Sequence, residues 1–430
     1  MNFIKNIVKS QLFKLSSLNS ISVLVRVAGG LLSSKMVALY IGPSGMAVTG
    51  NLRNFLGLID SISLLGMQNG IIKYTAESEN DKARLQTILT TISLAILAWV
   101  FVLMAILFIF SAPLNHWIFA EGQQYIWIFK LLAVLLPLYS GNLVFMAVLN
   151  GLGLYKQIIN LNIIGNIVGV LLSALLIWMF KLSGALFALA TYPAMLFIFS
   201  FYYMRRRYRL SSFFKRANFD VNFLKSLFSY SIMSLVTVVL GSLISIAIRN
   251  QLIENFSPME AGYWEGVNRI SSFYLMFAST LLTVYFLPKL SVAKTNSDTK
   301  AVFWSYYKAI LPVFTVGLLA VYFLKSFIIT VLLSNDFLPM TILFKWQLLG
   351  DFFKIASIIL GYEFFAKKMT KAFIVTETVS FCILYVLSYF LINIYGSTGA
   401  VMAYAYTYAI YFVMLVIYFR KKLLFATPGL

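Results

Sequence analysis

The sequence predicts an all-α polytopic membrane protein of about twelve transmembrane helices, in two six-helix lobes related by a pseudo-twofold axis along the membrane normal. Three observations predict it. Of the 430 residues, 61% are hydrophobic and 11% charged, where a soluble domain carries about 25% charged. The apolar residues form runs long enough for a helix to cross a bilayer core of about 30 Å. Lysine and arginine collect in alternate connections between those runs.

The runs are 16–41, 45–72, 87–111, 124–150, 157–180, 183–204, 227–251, 260–288, 303–333, 339–365, 371–394 and 397–419. Barrel strands are about ten residues of alternating pattern, whereas these are longer and apolar all round. Residues 1–15 lack the continuous core of a signal peptide. Phe3, Ile4, Ile7, Val8 and Leu12 recur there at helical spacing with Lys5, Lys9 and Lys14 between them. That suits either a helix on an anionic leaflet or a basic lead-in to the first span.

Net charge is +20. In a soluble protein this would suggest nucleic acid; here topology explains it. The N-terminus, the loop with Lys73, Lys82 and Arg84, Lys156, the loop at 205–225, the loop with Lys289, Lys294, Lys300 and Lys308, the loop with Lys367, Lys368 and Lys371, and the C-terminus with Arg420, Lys421 and Lys422 are all basic. The intervening loops are poor in basic residues, Lys181 excepted. Even loops are therefore cytoplasmic, as are both termini.

The basic stretch at 205–226 is read as a cytoplasmic linker between an N-terminal lobe (1–204) and a C-terminal lobe (227–430). The halves share a weak repeat: Pro43, Gly45, Gly50 and Arg53 in one, Pro258, Gly262, Gly266 and Arg269 in the other. Arg53 and Arg269 are 216 positions apart. Six spans per half give the halves the same orientation, which favours a transporter whose lobes rock about a central cavity.

The single cysteine, Cys382, excludes an intrachain disulfide, and with one histidine, His116, no metal or haem site is expected. No Gly-rich phosphate loop with its lysine is present. No catalytic residue, cofactor or nucleic-acid partner is expected.

A charge near the bilayer centre costs at least about 2.5–3.5 kcal/mol, yet the spans hold Arg26, Lys35, Arg53, Asp60, Arg249, Glu265, Arg269, Lys345, Asp351, Lys354, Glu363 and Glu377. Arg53 and Asp60 stand two turns apart on one face. Glu265 and Arg269 are i, i+4 neighbours, and Asp351 and Lys354 are i, i+3 neighbours. For Lys35, Arg249 and Glu363, near helix ends, snorkelling or structural pairing competes with function. For the deeper Arg26, Arg53 and Arg269 a cationic cavity is favoured, and arginine's planar fork suits phosphate oxygens. Gly165, Gly169 and Ser173 form a small-residue ridge for helix packing. Pro137, Pro193 and Pro312 are expected to kink their spans, and Trp117, Trp127, Tyr263, Trp264 and Trp304 lie near span ends as interfacial anchors.

Three stretches resemble the Wzx-type polysaccharide flippases of the multidrug/oligosaccharidyl-lipid/polysaccharide exporter superfamily, in the O-antigen and enterobacterial common antigen (lipid III) branch. They are Gly29, Gly30, Pro43, Gly45, Asn51, Arg53 and Lys73-Tyr74; Gly262, Trp264, Gly266 and Val267 through Ser271, leading to Val284-Tyr285 and Leu287-Pro288; and Leu333-Ser334-Asn335, Trp346-Gln347-Leu348, Gly350-Asp351 and Lys354. The resemblance implies transfer of an undecaprenyl-pyrophosphate-linked glycan across the bacterial inner membrane. It implies pyrophosphate contact by Arg26, Arg53, Arg269, Lys345 and Lys354. Asp60, Glu265, Asp351 and Glu377 would pair with these cations or carry a proton. A polysaccharide polymerase and a chain-length regulator are candidate partners.

Two other classes compete. A cation-coupled drug exporter of the same superfamily needs buried acids, against which the basic excess argues. A membrane polymerase or ligase needs a long outer loop of polar residues, and the longest here, near 111–123, offers only His116 and Glu121.

Overall fold

A computed structural model describes residues 11–119, 123–207, 219–220, 223–224 and 232–423. The leaflet-helix expectation at 1–10 and most of the 205–226 linker, including Arg209, Lys215, Arg216 and Lys225, lie outside the described residues, as does Glu121. The described chain is helical. The helices are α1 Gln11–Tyr40, α2 Gly42–Ser63, α3 Gln68–Glu77, α4 Lys82–Ile109, α5 Ser111–Phe119, α6 Ile126–Gly151, α7 Tyr155–Arg207, α8 Ile232–Asn255, α9 Pro258–Leu281, α10 Leu287–Val292, α11 Asn296–Leu332, α12 Phe344–Ala366, α13 Thr370–Tyr395, α14 Ser397–Tyr418 and α15 Arg420–Leu423.

Among the described residues nine helices are long and apolar enough to cross a membrane, ten with the bent pair α2 and α3. One of the nine, Tyr155–Arg206, runs 52 residues, about 78 Å at 1.5 Å per residue. That is more than twice a bilayer core, and it breaks at Lys181 (φ 50°, ψ −123°), so it makes two crossings. The helix α12 escapes that count because Lys345, Asp351, Lys354 and Glu363 fall within its 23 residues. Including it gives twelve crossings.

Local chemistry sets the ends. The side chain of Asp81 caps α4 by accepting from Arg84 N at 3.0 Å. Ser257 caps α9 by accepting from Glu260 N at 3.2 Å, with Pro258 in the first turn. Thr295 and Asp298 form a reciprocal capping box at α11.

Contacts divide the chain into two compact units: Met1–Tyr40 with Asn51–Val239, and Ile41–Gly50 with Leu240–Leu430. In the first, α7 packs on α1 and α6, and α6 also on α3 and α4. In the second, α12 packs on α14, α11 and α9, and α13 on α14. The glycine ridge has its packing partner there in the first unit: a Cβ on Gly169 would stand 2.8 Å from the Tyr192 ring, and one on Gly165 would stand 3.0 Å from Leu196. Pro137, Pro193 and Pro312 all lie inside helices.

The weak sequence repeat has a backbone counterpart. Gly396 (φ 57°, ψ −137°) stands 215 residues after Lys181 and turns the chain in the same way. Gly184 and Gly399 also correspond: a Cβ on the first would meet Leu176 O at 1.9 Å, and on the second Leu391 O at 2.0 Å. Each turn joins two spans with no loop between. The second crossing of each half is irregular towards its C-terminal end, broken in the first half and continuous in the second. After α2 the chain turns through Leu65 (φ 51°) and Gly66 (φ 67°) into α3, a bend of 42°. After α9 a π-helical turn, Leu282–Phe286, leads into α10. The span 45–72 is therefore a long helix and a short one, whereas 260–288 stays one continuous helical span, Pro258–Val292, with a π-helical turn inside it. Span 339–365 begins as a 3-10 stretch, Asn335–Leu343, before α12.

Candidate functional site

In the first unit, α1 carries Arg26, whose side chain is exposed, and Lys35, half-buried. Arg53 is half-buried on α2. Asp60, two turns further on, lies beside Tyr139 of α6 and Tyr192 of α7. Tyr139 hydrogen-bonds its carboxylate, and its Oδ1 is buried without a hydrogen-bond partner.

The second unit holds two clusters. Arg249 of α8 is buried and donates to Glu265 Oε2 of α9 at 2.6 Å, with its guanidinium carbon 5.2 Å from the Trp264 ring centroid. Gly50 lies against this pair: a Cβ there would stand 2.8 Å from Glu265 Oε2. Gly262, a turn before, takes the backbone of Pro43 so closely that a Cβ would meet Pro43 O at 2.0 Å. Thus two glycines of the repeat motif exist for close approach to charged and backbone groups. Glu265 is expected beside Arg269; its short ion pair is made across to Arg249, while Arg269 stands one turn on, 5.7 Å from the Phe273 ring centroid.

The other cluster centres on Asp351 of α12, which is fully buried. Ser271 Oγ lies 2.8 Å from both of its carboxylate oxygens. Tyr274 donates to Oδ2, Tyr404 to Oδ1 at 2.7 Å, and Gln347 Nε2 to Oδ1 at 3.4 Å. An ionised carboxylate is acceptor-only, and here four neutral side chains from α9, α12 and α14 supply the donors. Gly350 makes room: a Cβ would meet the Tyr404 ring at 2.3 Å.

Lys354, one turn after Asp351, is expected to pair with it. Among the described residues no ion pair within 4 Å joins them. The Lys354 ammonium instead lies 5.5 Å from the Tyr404 ring centroid and 4.9 Å from that of Tyr408. Glu377 of α13 accepts from Tyr411 at 2.6 Å. Tyr404, Tyr408 and Tyr411 form one stripe on α14 that meets Asp351, Lys354 and Glu377 in turn. From α11, Tyr306 and Tyr307 donate to Ile355 O and Ala356 O at 2.8 and 2.9 Å, fixing α12 just past Lys354. Lys345 is exposed at the start of α12, 5.7 Å from the Trp346 ring centroid. At the other end of α12, buried Glu363 accepts from Lys422 at 2.6 Å.

The structure thus gathers Glu265 with Arg249, and Asp351, Lys354 and Glu377 around the α14 stripe. The tyrosines at both carboxylate sites escaped the sequence reading. Their available signal was the i, i+4, i+7 spacing of Tyr404, Tyr408 and Tyr411, which matches any buried helix face.

No model of a protein family matches the chain. It is 30% identical over 403 residues to the lipid III flippase of Escherichia coli (strain K12), covering 93% of this chain and 96% of that protein. The lipid III flippase of Shigella flexneri matches at the same identity and coverage. Among solved structures, a multidrug resistance MATE family transporter of the MOP superfamily in an inward-facing conformation superposes with a TM-score of 0.78 at 11% identity, over 94% of each chain. The lipid II flippase MurJ in an inward closed conformation superposes at 0.69 with 15% identity, over 96% of this chain and 90% of that one. These two likenesses establish the fold.

Proposed function

Because the chain belongs to the lipid III flippase family, we propose that it carries an undecaprenyl-pyrophosphate-linked oligosaccharide, an O-antigen or enterobacterial common antigen repeat unit, from the cytoplasmic to the periplasmic face of the bacterial inner membrane by alternating access. The observation that carries this is the similarity to lipid III flippases along nearly the whole chain. The protein is a multi-pass flippase of lipid-linked oligosaccharide. Both termini lie in the cytoplasm, a reading supported by the basic even-numbered loops.

In this reading the lobes 1–204 and 227–430 rock about the substrate. Arg26 and Arg53 in one, and Arg269, Lys345 and Lys354 in the other, meet the pyrophosphate by charge-assisted hydrogen bonds. Asp60, Glu265, Asp351 and Glu377 balance those charges or take up a proton during the cycle. The glycan then passes to a polysaccharide polymerase working with a chain-length regulator.

The test is accumulation of lipid-linked oligosaccharide on the cytoplasmic face after deletion, with rescue by wild type, Arg53→Ala or Arg269→Ala. Precursor is expected to accumulate inside, and the alanine variants to insert normally without rescuing. Precursor that reaches the outer face and stays unpolymerised there would place the protein downstream of flipping.

A further inference from the structure

A lysine inside a bilayer is ordinarily stabilised by a carboxylate, and the two charges then cancel. At Lys354 the arrangement differs. Asp351 is one turn away on the same helix, but its oxygens are occupied by Ser271, Tyr274, Tyr404 and Gln347. The ammonium lies against the rings of Tyr404 and Tyr408, which pack edge to face at 4.7 Å, and it hydrogen-bonds the Tyr408 side chain, with Asp351 and Glu377 acting on it only at a distance. Ring quadrupoles attract a cation without neutralising it, so the charge remains available to an incoming anion. The same rings restrict a long, flexible side chain, and that preorganisation favours binding.

Each part of the sequence motif then has a task. Gly350 lets the Tyr404 ring lie against α12. Asp351 grips the Tyr404 hydroxyl. Lys354 takes the ring faces one turn on. Resting on the flippase reading above, we propose that Asp351, Tyr404 and Tyr408 are positioning residues that present Lys354 to a lipid diphosphate. Asp351 serves as the anchor for Tyr404.

The test uses full-length protein in nanodiscs and geranylgeranyl diphosphate as probe, with affinity measured for a double-mutant cycle. Lys354→Met and Tyr408→Leu are each expected to weaken binding about tenfold, and the double variant no further than Lys354→Met alone. Tyr408→Phe, which keeps the ring but loses the hydrogen bond to Lys354, is expected to weaken binding clearly less than Tyr408→Leu. Asp351→Asn is expected to weaken binding only while Lys354 is present. Additive losses in the double variant, or equal losses in Tyr408→Phe and Tyr408→Leu, overturn the positioning role while leaving the flippase reading intact. Wild-type protein that does not bind the probe overturns that reading and the proposal together. Excess phosphatidylglycerol is expected not to compete; full competition overturns the diphosphate assignment in favour of a headgroup phosphate.

Discussion

Lys181 adopts a backbone conformation that glycine enters without penalty. Such positions cost an L-residue of order 1–3 kcal/mol, partly offset because lysine orders fewer unfolded states than glycine. Lys181→Gly should therefore stabilise the protein by about 1 kcal/mol, and Gly396→Ala should destabilise it by about 1–3 kcal/mol. Thermal unfolding in detergent reads both, and unchanged midpoints would mean the turns relax. At the buried pair, Glu265→Gln leaves Arg249 without its countercharge, a loss of about 3–5 kcal/mol, seen as a lower unfolding midpoint or failure to accumulate in the membrane. The charges of these sites were legible in the sequence because charge is conspicuous among apolar residues. Their partners were not. Among 25 tyrosines and 39 phenylalanines, nothing local distinguishes a hydroxyl that grips Asp351 from a ring that faces lipid.

At the scale of elements, hydropathy located the spans but not the breaks within them. The break at Leu64–Met67 lies in a stretch as apolar as its surroundings, and the Leu282–Phe286 π-turn leaves its helix continuous, so hydropathy marks neither. The turn at Lys181 was legible, since the spans 157–180 and 183–204 meet at that one charged residue, and the structure breaks α7 there by backbone torsion. Polar signals did mark the caps, and these should behave as caps do elsewhere. Thr295→Ala removes one half of the α11 capping box and should lower stability by about 1 kcal/mol, measured by denaturant titration in mixed micelles. Gly350→Ala drives a methyl group into the Tyr404 ring. An overpacking cost of about 1–3 kcal/mol should appear as a lower unfolding midpoint together with loss of the flipping phenotype.

For the whole molecule, the alternation of basic and neutral loops predicts twelve crossings, and the helices among the described residues agree once the bent pair α2 and α3 is counted as one span, α7 is divided and α12 admitted. Electrostatic topology was legible because it depends on composition summed over loops. The second unit's polar network was not, because it depends on which faces of α9, α12, α13 and α14 meet. The orientation is open to direct test. In a Cys382→Ser background, single cysteines at Lys181 and at Lys294 should react with a membrane-impermeant maleimide from opposite sides, Lys181 from the periplasm. Labelling of both from one side would refute the twelve-span arrangement.

The loopless turns at Lys181 and Gly396 also bear on how the chain is made. A ribosome feeding a translocon normally releases spans one at a time, each held by the polar segment that follows. Here the fifth and sixth crossings, and again the eleventh and twelfth, offer no such segment. Each pair must leave the channel sideways as a preformed hairpin. A glycosylation tag inserted after Lys181 should therefore do more than report position: by giving the machinery a loop to translocate, it should slow membrane integration of both spans together.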